Sequence, residues 1–253
     1  MEIKPKENET LTPFIRGRIN VIQSKDGYRF NIDSVLLAHF INIPDRPSSL
    51  VDLGTGNGII LLLLSLKYRK LQLYGVELQE SLFSQAWRNL QLNNVRAQLF
   101  KGDIREIKRI FRPETFDYVV FNPPYHPPPE EHTADEKSIA RYELEGRLKD
   151  FIKAGEYLLK PKGRLFFIFP ATRLSEAIIT AVEKNLQPKR YRFIHPTAGE
   201  PATHVLIECL KGGKPGGELV EKPLIVYDEP NKKVYTPEVE FILEKFYEGE
   251  KDG

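Results

Sequence analysis

The chain has 253 residues, of which 41 % are hydrophobic, so it is long and apolar enough to build a full core. The formal net charge of only +2 excludes a polybasic protein that binds nucleic acid through its overall charge. No apolar run could span a membrane or act as a signal peptide, and the single cysteine, Cys209, excludes an internal disulfide and favours a reducing cytoplasm.

The N-terminal segment predicts a hairpin followed by a helix. Residues 18–30, RINVIQSKDGYRF, fit two short strands joined at Asp26-Gly27, a dipeptide that favours the tight turn of a hairpin. The next residues, NIDSVLLAHFI, have the pattern of a helix with Asn31 or Asp33 as its N-cap.

From residue 50 onward, apolar strands alternate with helical segments. The strands are SLVDLG, LQLYGVEL, AQLFKGD, DYVVFNPPY and GRLFFIFP, and further strands are expected near 189–194 and 204–210. Strands that alternate with helices form a parallel sheet covered on both faces, so the fold class is α/β. The segment KGGKPGG, 211–217, is expected to be a linker to a tail with one strand, LIVY, and one helix, EVEFILEKFY.

A glycine-rich motif, VDLGTGNG, follows the first of these strands at residues 51–58. Its glycines allow a backbone to approach a ligand closely and to point its amides at it. The motif is not the dinucleotide fingerprint, because Ile59 stands where the third glycine would be. The carboxylate of Asp52 suits a cation better than a pyrophosphate, and S-adenosylmethionine, with ammonium and sulfonium groups, meets that description. The alternative is a turn that needs its glycines for packing alone.

Acidic residues follow the next two strands of the predicted sheet. Glu77 ends the strand in YGVEL, where a carboxylate can accept both hydroxyls of a ribose. Asp103 follows the third strand, where it could bind an adenine amino group, although capping a helix that begins at Ile104 is nearly as good an interpretation. Because the carboxyl ends of parallel strands share one edge, we expect a ligand site along that edge.

The fourth strand of the alternating series ends in FNPPY, residues 121–125. A conjugated amino group is planar, and its nitrogen must become more pyramidal to attack a methyl group. Two acceptors that hold its two hydrogens favour that change, and the Asn122 side chain and the Pro123 carbonyl can be those acceptors. Pro123 and Pro124 stiffen the loop, and the Tyr125 ring offers a face on which a flat substrate can stack.

Together, the D-x-G-x-G-x-G and N-P-P-Y motifs resemble those of the class I methyltransferases that act on exocyclic or amide nitrogens. The segments GYRFNIDSVLLAHF, ARYELEGRLKDFIKAGEYLLKPKGRLFFIFP and GEPATHVLIECLKGG are similar to those of bacterial tRNA adenine-N6 methyltransferases, which modify the adenine beside the anticodon of a valine tRNA. The resemblance covers roughly residues 18–245. It implies a Rossmann-like, mostly parallel seven-stranded sheet, S-adenosyl-L-methionine as cofactor and tRNA as partner.

The resemblance also implies roles for individual residues and for three segments. Catalysis is assigned to Asn122, Pro123, Pro124 and Tyr125. The cofactor is expected to contact Asp33, Ser34, Asp52, Gly54, Thr55, Gly56, Gly58, Glu77, Leu78, Asp103, Ile104 and Asn122. Residues 1–45 are expected to cover the cofactor site, residues 46–210 to form the catalytic domain, and residues 211–253 to form the linker and a C-terminal extension.

RNA contacts are expected from arginines, for which the candidates are Arg16, Arg18, Arg29, Arg105 and Arg109. Arg105 and Arg109 share a helical face with Arg112, and a solvated basic face is an equally good interpretation there. No metal is expected, because the histidines and glutamates of the proline-rich loop 126–134 match no common metal spacing.

Three other functions compete with RNA adenine methylation as interpretations of these motifs. A protein-glutamine N-methyltransferase that acts on a release factor uses the same nitrogen chemistry, but by resemblance those enzymes carry a helical N-terminal domain longer than the 51 residues before Asp52. A DNA adenine methyltransferase would need a target-recognition region for which the chain has no room. A cofactor-binding partner subunit without catalysis would not need Asn122 and Tyr125. RNA adenine-N6 methylation, with tRNA as substrate, is the preferred hypothesis.

Overall fold

The computed structural model describes residues 3–25, 32–124, 148–229 and 232–245. Its strands are β1 Glu9–Phe14, β2 Ile19–Ser24, β3 Ser48–Leu53, β4 Leu71–Glu77, β5 Ala97–Lys101, β6 Phe116–Phe121, β7 Leu159–Pro170, β8 Leu186–His195, β9 His204–Lys211, β10 Leu219–Val220, β11 Leu224–Ile225, β12 Tyr227–Glu229 and β13 Lys232–Tyr235. Its α-helices are α1 Ile32–Phe40, α2 Ile59–Lys67, α3 Glu80–Leu92, α4 Leu148–Leu158, α5 Leu174–Val182 and α6 Pro237–Lys245. Short 3₁₀ helices cover Ile104–Arg109 and Ala171–Arg173.

One mixed sheet forms the centre of the described structure, with strand order β10-β8-β9-β7-β6-β3-β4-β5 and with β11 also paired to β8. The strands β5, β4, β3, β6 and β7 are parallel to one another, while β9 runs antiparallel between β7 and β8. The predicted mostly parallel, Rossmann-like sheet is confirmed. The seven predicted strands form its body, and the short strands β10 and β11 extend it to nine.

Apolar side chains on both faces of the sheet hold the helices in place. Helix α2, with the sequence IILLLLSLK, buries its first six residues against one face, together with α1. On the other face, α4 buries an apolar stripe that includes Phe151, Ile152 and Leu158. Cys209 is buried in the same core, and burial raises the pKa of its thiol, as expected for a packing residue.

The structure contains an N-terminal hairpin that the sequence did not predict, in which β2 pairs antiparallel with β1. The predicted turn at Asp26-Gly27 and the strand after it lie outside the described part of the chain. The turn is formed by residues 15–18, where Arg16 and Gly17 have positive φ angles of 49° and 80°. The segment ETLTPF has too little apolar alternation to indicate a strand, so β1 depends on its pairing partner and not on a local pattern.

The C-terminal tail contains more strands than the single one predicted at LIVY. β10 and β11 pair with β8, and β12 and β13 form a separate antiparallel hairpin in which the rings of Tyr227 and Tyr235 stack with centroids 5.5 Å apart. Strands of two to four residues give too little pattern to be recognised from sequence. Arg190 of β8 pairs with Glu208 of β9 at 2.7 Å and with Glu221 of the tail at 2.8 Å, so the tail is bound to the sheet.

Polar side chains of α3 hold the N-terminal hairpin. The Asn89 side chain accepts a hydrogen bond from the backbone N–H of Ile22 at 2.7 Å and donates to the carbonyl oxygens of Ile22 and Asn57 at 3.0 and 2.9 Å. Arg88 forms a two-point ion pair with Glu9, with both N–O distances at 2.6 Å and side chains that are 11 % and 4 % exposed. The hydrogen bond from Arg88 lowers the pKa of Glu9 to about 2.

Arg88→Ala should destabilise the protein by about 3 kcal/mol, because it leaves the buried Glu9 carboxylate without its partner. The free energy of unfolding from urea denaturation at pH 7 measures this loss. Arg109→Ala is the matched control, since its ion pair with Glu106 joins side chains that are 78 % and 52 % exposed. We expect the control to lose about 0.5 kcal/mol or less. Equal losses in the two variants would contradict a structural role for the buried pair.

Candidate active site

The predicted site residues meet at the carboxyl edge of the parallel strands. Asp52 lies near the end of β3, Glu77 ends β4, Asp103 follows β5, and Asn122 follows β6. Strand β3 lies between β4 and β6, so the strand order reverses beside it. Crevices at such a reversal are the common ligand sites of α/β sheets. The structure therefore brings these four residues to the edge that the sequence analysis predicted.

The glycine loop between β3 and α2 has a backbone conformation that favours glycine. Gly54, Gly56 and Gly58 have φ angles of 68°, 58° and 84°, in the left-handed region. The backbone N–H groups of Gly54 and Thr55 both donate to the carbonyl oxygen of Val76, at 2.9 and 3.0 Å. These bonds fix the start of the loop to the end of β4.

The Asp52 carboxyl is buried with one oxygen unpaired. Asp52 is 1 % exposed, and its Oδ2 accepts a hydrogen bond from the Thr55 hydroxyl at 2.7 Å. Its Oδ1 has no hydrogen-bond partner in the described part of the chain. Burial raises the pKa of Asp52 to about 7, and the Glu77 carboxylate adds to the effect. A cationic group beside Oδ1 would satisfy this oxygen and favour the ionised form.

Glu77 connects the glycine loop to the turn after β4. Its Oε2 accepts the backbone N–H of Gly56 at 2.8 Å, and its Oε1 accepts that of Gln79 at 2.8 Å. Burial raises the pKa of Glu77, and the backbone hydrogen bonds oppose that shift. Each carboxylate oxygen has a second lone pair, so the predicted contact with ribose hydroxyls is compatible with these bonds. The adjacent candidate, Leu78, is 37 % exposed.

Asp103 caps the 3₁₀ helix that begins at the buried Ile104. Its Oδ1 accepts the backbone N–H of Arg105 at 2.8 Å, and its Oδ2 lies 2.5 Å from Nη2 of the same residue. The hydrogen bond from Arg105 lowers the pKa of Asp103. The capping role is thus present, while the contact with an adenine amino group stays a prediction. Arg105 pairs with Asp103, as Arg109 does with Glu106 at 2.8 Å, and the contacts of both with RNA stay a prediction.

Asn122 lies beside the first turn of α1. Its Nδ2 donates a hydrogen bond to the Ser34 hydroxyl oxygen at 3.1 Å. Ser34 is 1 % exposed, and the neighbouring candidate Asp33 is also buried. Pro123 is buried and Pro124 is exposed. The loop after β6 and the start of α1 are therefore joined through two of the candidate residues.

Several predictions concern residues outside the described ranges, namely Tyr125, Arg29 and the loop 126–134. Arg16 and Arg18 lie at the β1–β2 turn, and Arg16 pairs with Glu244 of α6 at 3.0 Å in an exposed position. Within the described ranges, no group of three or more His, Cys, Asp or Glu side chains could hold a metal ion. None of the helices described here has the length and apolar character that a bilayer span requires.

One polar residue of the glycine loop is absent from the predicted site. Asn57 is fully buried, and neither its Nδ2 nor its Oδ1 has a hydrogen-bond partner among the described residues. The sequence offers one signal for Asn57, which is its place between Gly56 and Gly58. A polar side chain within a ligand-binding loop is itself a candidate ligand contact. Its burial without partners is visible only in the folded protein.

The strand order, the glycine loop at its reversal and the acidic strand ends define a class I S-adenosylmethionine-dependent methyltransferase. The chain belongs to the methyltransferase small domain family, whose model matches residues 28–190.

Its fold is similar to that of an Agrobacterium tumefaciens protein described as a predicted O-methyltransferase. The TM-score is 0.68, the identity is 22 %, and the match covers 84 % of this chain and 95 % of that one. A methyltransferase of Pyrococcus furiosus has a TM-score of 0.55 and 18 % identity, and the match covers 77 % and 89 % of the two chains. These structural similarities establish the fold, but they do not identify the atom that accepts the methyl group.

Curated relatives are similar over most of the chain. A Flavobacterium johnsoniae protein named tRNA1(Val) (adenine(37)-N6)-methyltransferase is 26 % identical over 231 residues, which cover 91 % of this chain and 97 % of the relative. A protein of the same name from Glaesserella parasuis is 28 % identical over 221 residues, which cover 87 % and 90 %.

The residues at the sheet edge fit S-adenosylmethionine. The unpaired, buried Oδ1 of Asp52 is an acceptor that suits a cation, and the cofactor carries ammonium and sulfonium groups. The left-handed glycines leave the backbone of the loop open to a close approach. The glycine loop, Asp52 and Glu77 would hold the cofactor, which supplies an electrophilic methyl group when bound.

The raised pKa of Asp52 predicts a pH-dependent stability. The folded protein keeps the Asp52 proton up to about pH 7, whereas the unfolded chain loses it near pH 4, about the ordinary value. The contribution of Asp52 to the free energy of unfolding should therefore fall as pH rises from about 4 to about 7, and be constant above that. Asp52→Asn mimics the protonated form and should lack this decline.

Urea denaturation of the wild type and of Asp52→Asn from pH 4 to pH 8 measures the effect. The variant should gain stability relative to the wild type as pH rises to about 7. A difference between the two proteins that does not change with pH would contradict the raised pKa.

Proposed function

We propose that this protein transfers a methyl group from S-adenosyl-L-methionine to the N6 amino group of an adenine in tRNA, near the anticodon. The observation that carries the proposal is the place of Asn122, which follows β6 at the sheet edge of the glycine loop and bonds to Ser34. The curated relatives named for that activity support it, since their similarity extends over 91 % and 87 % of the chain. Such a substrate implies a cytoplasmic location.

Two acceptors near the end of β6 prepare the target nitrogen. The amino group of adenine is planar because its lone pair is delocalised into the ring. The Oδ1 of Asn122 and the carbonyl oxygen of Pro123 each accept one of its hydrogens, which favours the pyramidal nitrogen that attacks a methyl group. The methylated nitrogen is cationic and acidic, so it loses its proton without a strong base.

Ser34 holds Asn122 from the other end of its carboxamide. The Nδ2 group of Asn122 donates to the Ser34 hydroxyl at 3.1 Å, so Oδ1 is the end of the amide that we assign to the substrate N–H. Pro123, which is buried, fixes the backbone beside it. Acceptors that are placed before the substrate arrives need little reorganisation during the reaction.

Asn122→Ala should reduce turnover by about a hundredfold or more, which is the loss expected for one preorganised hydrogen-bonding group. The affinity for S-adenosylhomocysteine should change little, because the glycine loop is intact in this variant. Steady-state kinetics with tRNA and calorimetric titration give the two values. Gln72→Ala, an exposed position in β4 near its amino end, is the matched control and should behave as the wild type. A loss in turnover below threefold would show that Asn122 does not hold the amine.

A protein-glutamine N-methyltransferase is the second hypothesis, because an amide nitrogen needs the same two acceptors. The curated relatives argue against it, since those similar over 91 % and 87 % of the chain are named for tRNA adenine methylation. The net charge of +2 fits an RNA-binding protein that makes few phosphate contacts. Arg16 and Arg18, at the β1–β2 turn, are the described residues that we propose for such contacts.

Three substrates tested in parallel decide between the two hypotheses. A radiolabelled methyl group should be transferred to tRNA, and nucleoside analysis of the product should yield N6-methyladenosine. The same tRNA with inosine at the target position should bind with similar affinity and accept no methyl group, because inosine lacks the amino nucleophile. Transfer to a protein with a Gly-Gly-Gln loop, and none to tRNA, would overturn the proposal in favour of the second hypothesis.

A further inference from the structure

Four exposed cations lie on two neighbouring elements beside the site. They are Lys108 and Arg112, in and just after the 3₁₀ helix Ile104–Arg109, and Lys149 and Lys153 of α4. None of the four has a carboxylate partner in the part of the chain that the structure describes, whereas the arginines next to them are paired. We call these four residues the basic surface.

The carboxylates around the basic surface are already paired with other cations. Residues 103–114 and 148–158 contain five of them. Asp103 pairs with Arg105, Glu106 with Arg109, Glu114 and Glu156 with Lys211, and Asp150 interacts electrostatically with Arg105. The four unpaired cations therefore give this region a local positive charge, although the net charge of the whole chain is only +2.

The two elements are fixed to each other through one residue of α4. The Nζ atom of Lys108 lies 5.3 Å from the centroid of the Tyr157 ring, and the Tyr157 hydroxyl donates a hydrogen bond to the carbonyl oxygen of Phe111 at 3.2 Å. Lys149, Lys153 and Tyr157 are spaced by four residues, so they share one face of the helix. Lys108, over the Tyr157 ring, continues the row that the two lysines of α4 begin.

The row begins at the active site. Helix α4 leads into β7 and therefore starts at the carboxyl edge of the sheet. The ring of Phe151 lies 5.1 Å from that of Phe121, the residue before Asn122, and a Cβ added to Gly54 would be 3.3 Å from the Phe151 ring. Lys149 is two residues from Phe151, so the first cation of the row lies close to both the glycine loop and the target-binding loop.

We propose that the basic surface binds phosphates of the tRNA strand that carries the target adenine. This inference rests on the proposed function and adds to it the place where the RNA backbone lies. A single small anion is held by donors that converge, whereas these cations follow one another at about 6 Å along a helix face and lead away from the site. Such a row fits an extended polyanion. Contacts with phosphates position the strand and carry no sequence information, so the base itself is recognised at Asn122.

The salt dependence of tRNA binding tests the proposal. Lys149→Gln/Lys153→Gln removes two phosphate contacts, so the slope of log Kd against log salt concentration should decrease by about two units, with weaker binding at low salt. Fluorescence anisotropy with labelled tRNA measures both. Lys149→Arg/Lys153→Arg keeps the charges and should keep the wild-type slope.

A second pair of lysines provides the matched control. Lys162 and Lys214 are exposed near the amino end of β7 and the end of β9, at the opposite edge of the sheet from the site. Lys162→Gln/Lys214→Gln makes the same change in net charge and should leave the slope unchanged. Equal decreases in the two double variants would show that tRNA responds only to the overall charge, and would overturn the proposal.

Kinetics separate anchoring of the RNA from a role in the reaction or in the fold. A phosphate contact is the same in the ground state and in the transition state, so Lys149→Gln/Lys153→Gln should raise KM for tRNA and leave kcat unchanged. The affinity for S-adenosylhomocysteine and the urea midpoint should equal those of the wild type, because both lysines are exposed. A fall in kcat at unchanged KM would contradict the proposal.

The far half of the basic surface is tested by Lys108→Gln/Arg112→Gln, which should also decrease the slope by about two units. If the wild type methylates tRNA and either pair of substitutions leaves the slope unchanged, the basic surface is wrong and the proposed function stands. If the wild type neither binds nor methylates tRNA, the proposed function fails and the basic surface fails with it.

Discussion

The buried carboxylate of Glu77 is the contact on which the geometry of the site depends. It accepts backbone N–H groups from Gly56 in the glycine loop and from Gln79 in the turn after β4, so one side chain fixes two loops. Glycines have no side chain to pack, and a loop of left-handed glycines needs such hydrogen bonds to keep one conformation. Glu77 therefore fixes the shape of the glycine loop and also supplies negative charge beside it.

The charges at the sheet edge differ in kind from those that hold the fold together. Glu9 is buried against Arg88, and this partner lowers its pKa to about 2. Asp52 and Glu77 are also buried, but no cation pairs with either among the described residues, and burial raises the pKa of both. A structural ion pair is thus satisfied within the protein. At the site, Glu77 is held by backbone N–H groups, whereas the ionised form of Asp52 becomes favourable only when a cation arrives. This difference separates a structural acidic residue from one that awaits a ligand.

Sequence patterns predicted the parts of the fold that rest on local signals, and they predicted much of the site. Asp52, Glu77 and Asn122 could be placed together because parallel strands present their carboxyl ends at one edge. Strand β1 could not be found, since its pairing with β2 is a long-range choice that the segment ETLTPF does not encode by itself. Asn57 could not be identified either, because burial without a hydrogen-bond partner is a property of the packed chain. Asp103 shows a third case, in which two roles fit the sequence and only the contact with Arg105 establishes one of them.

The helix that carries Ser34, α1, is also held at its opposite end. The last carbonyl groups of a helix have no partner within it, and in α1 the carbonyl oxygen of Phe40 accepts a hydrogen bond from Arg190 at 2.7 Å. The guanidinium carbon of Arg190 also lies 3.7 Å from the centroid of the Phe40 ring. Because Arg190 pairs at the same time with Glu221 of the tail, helix, sheet and tail share one polar network. The C-terminal tail lies outside residues 28–190, which the family model matches, and yet it shares this polar network with the helix that carries Ser34.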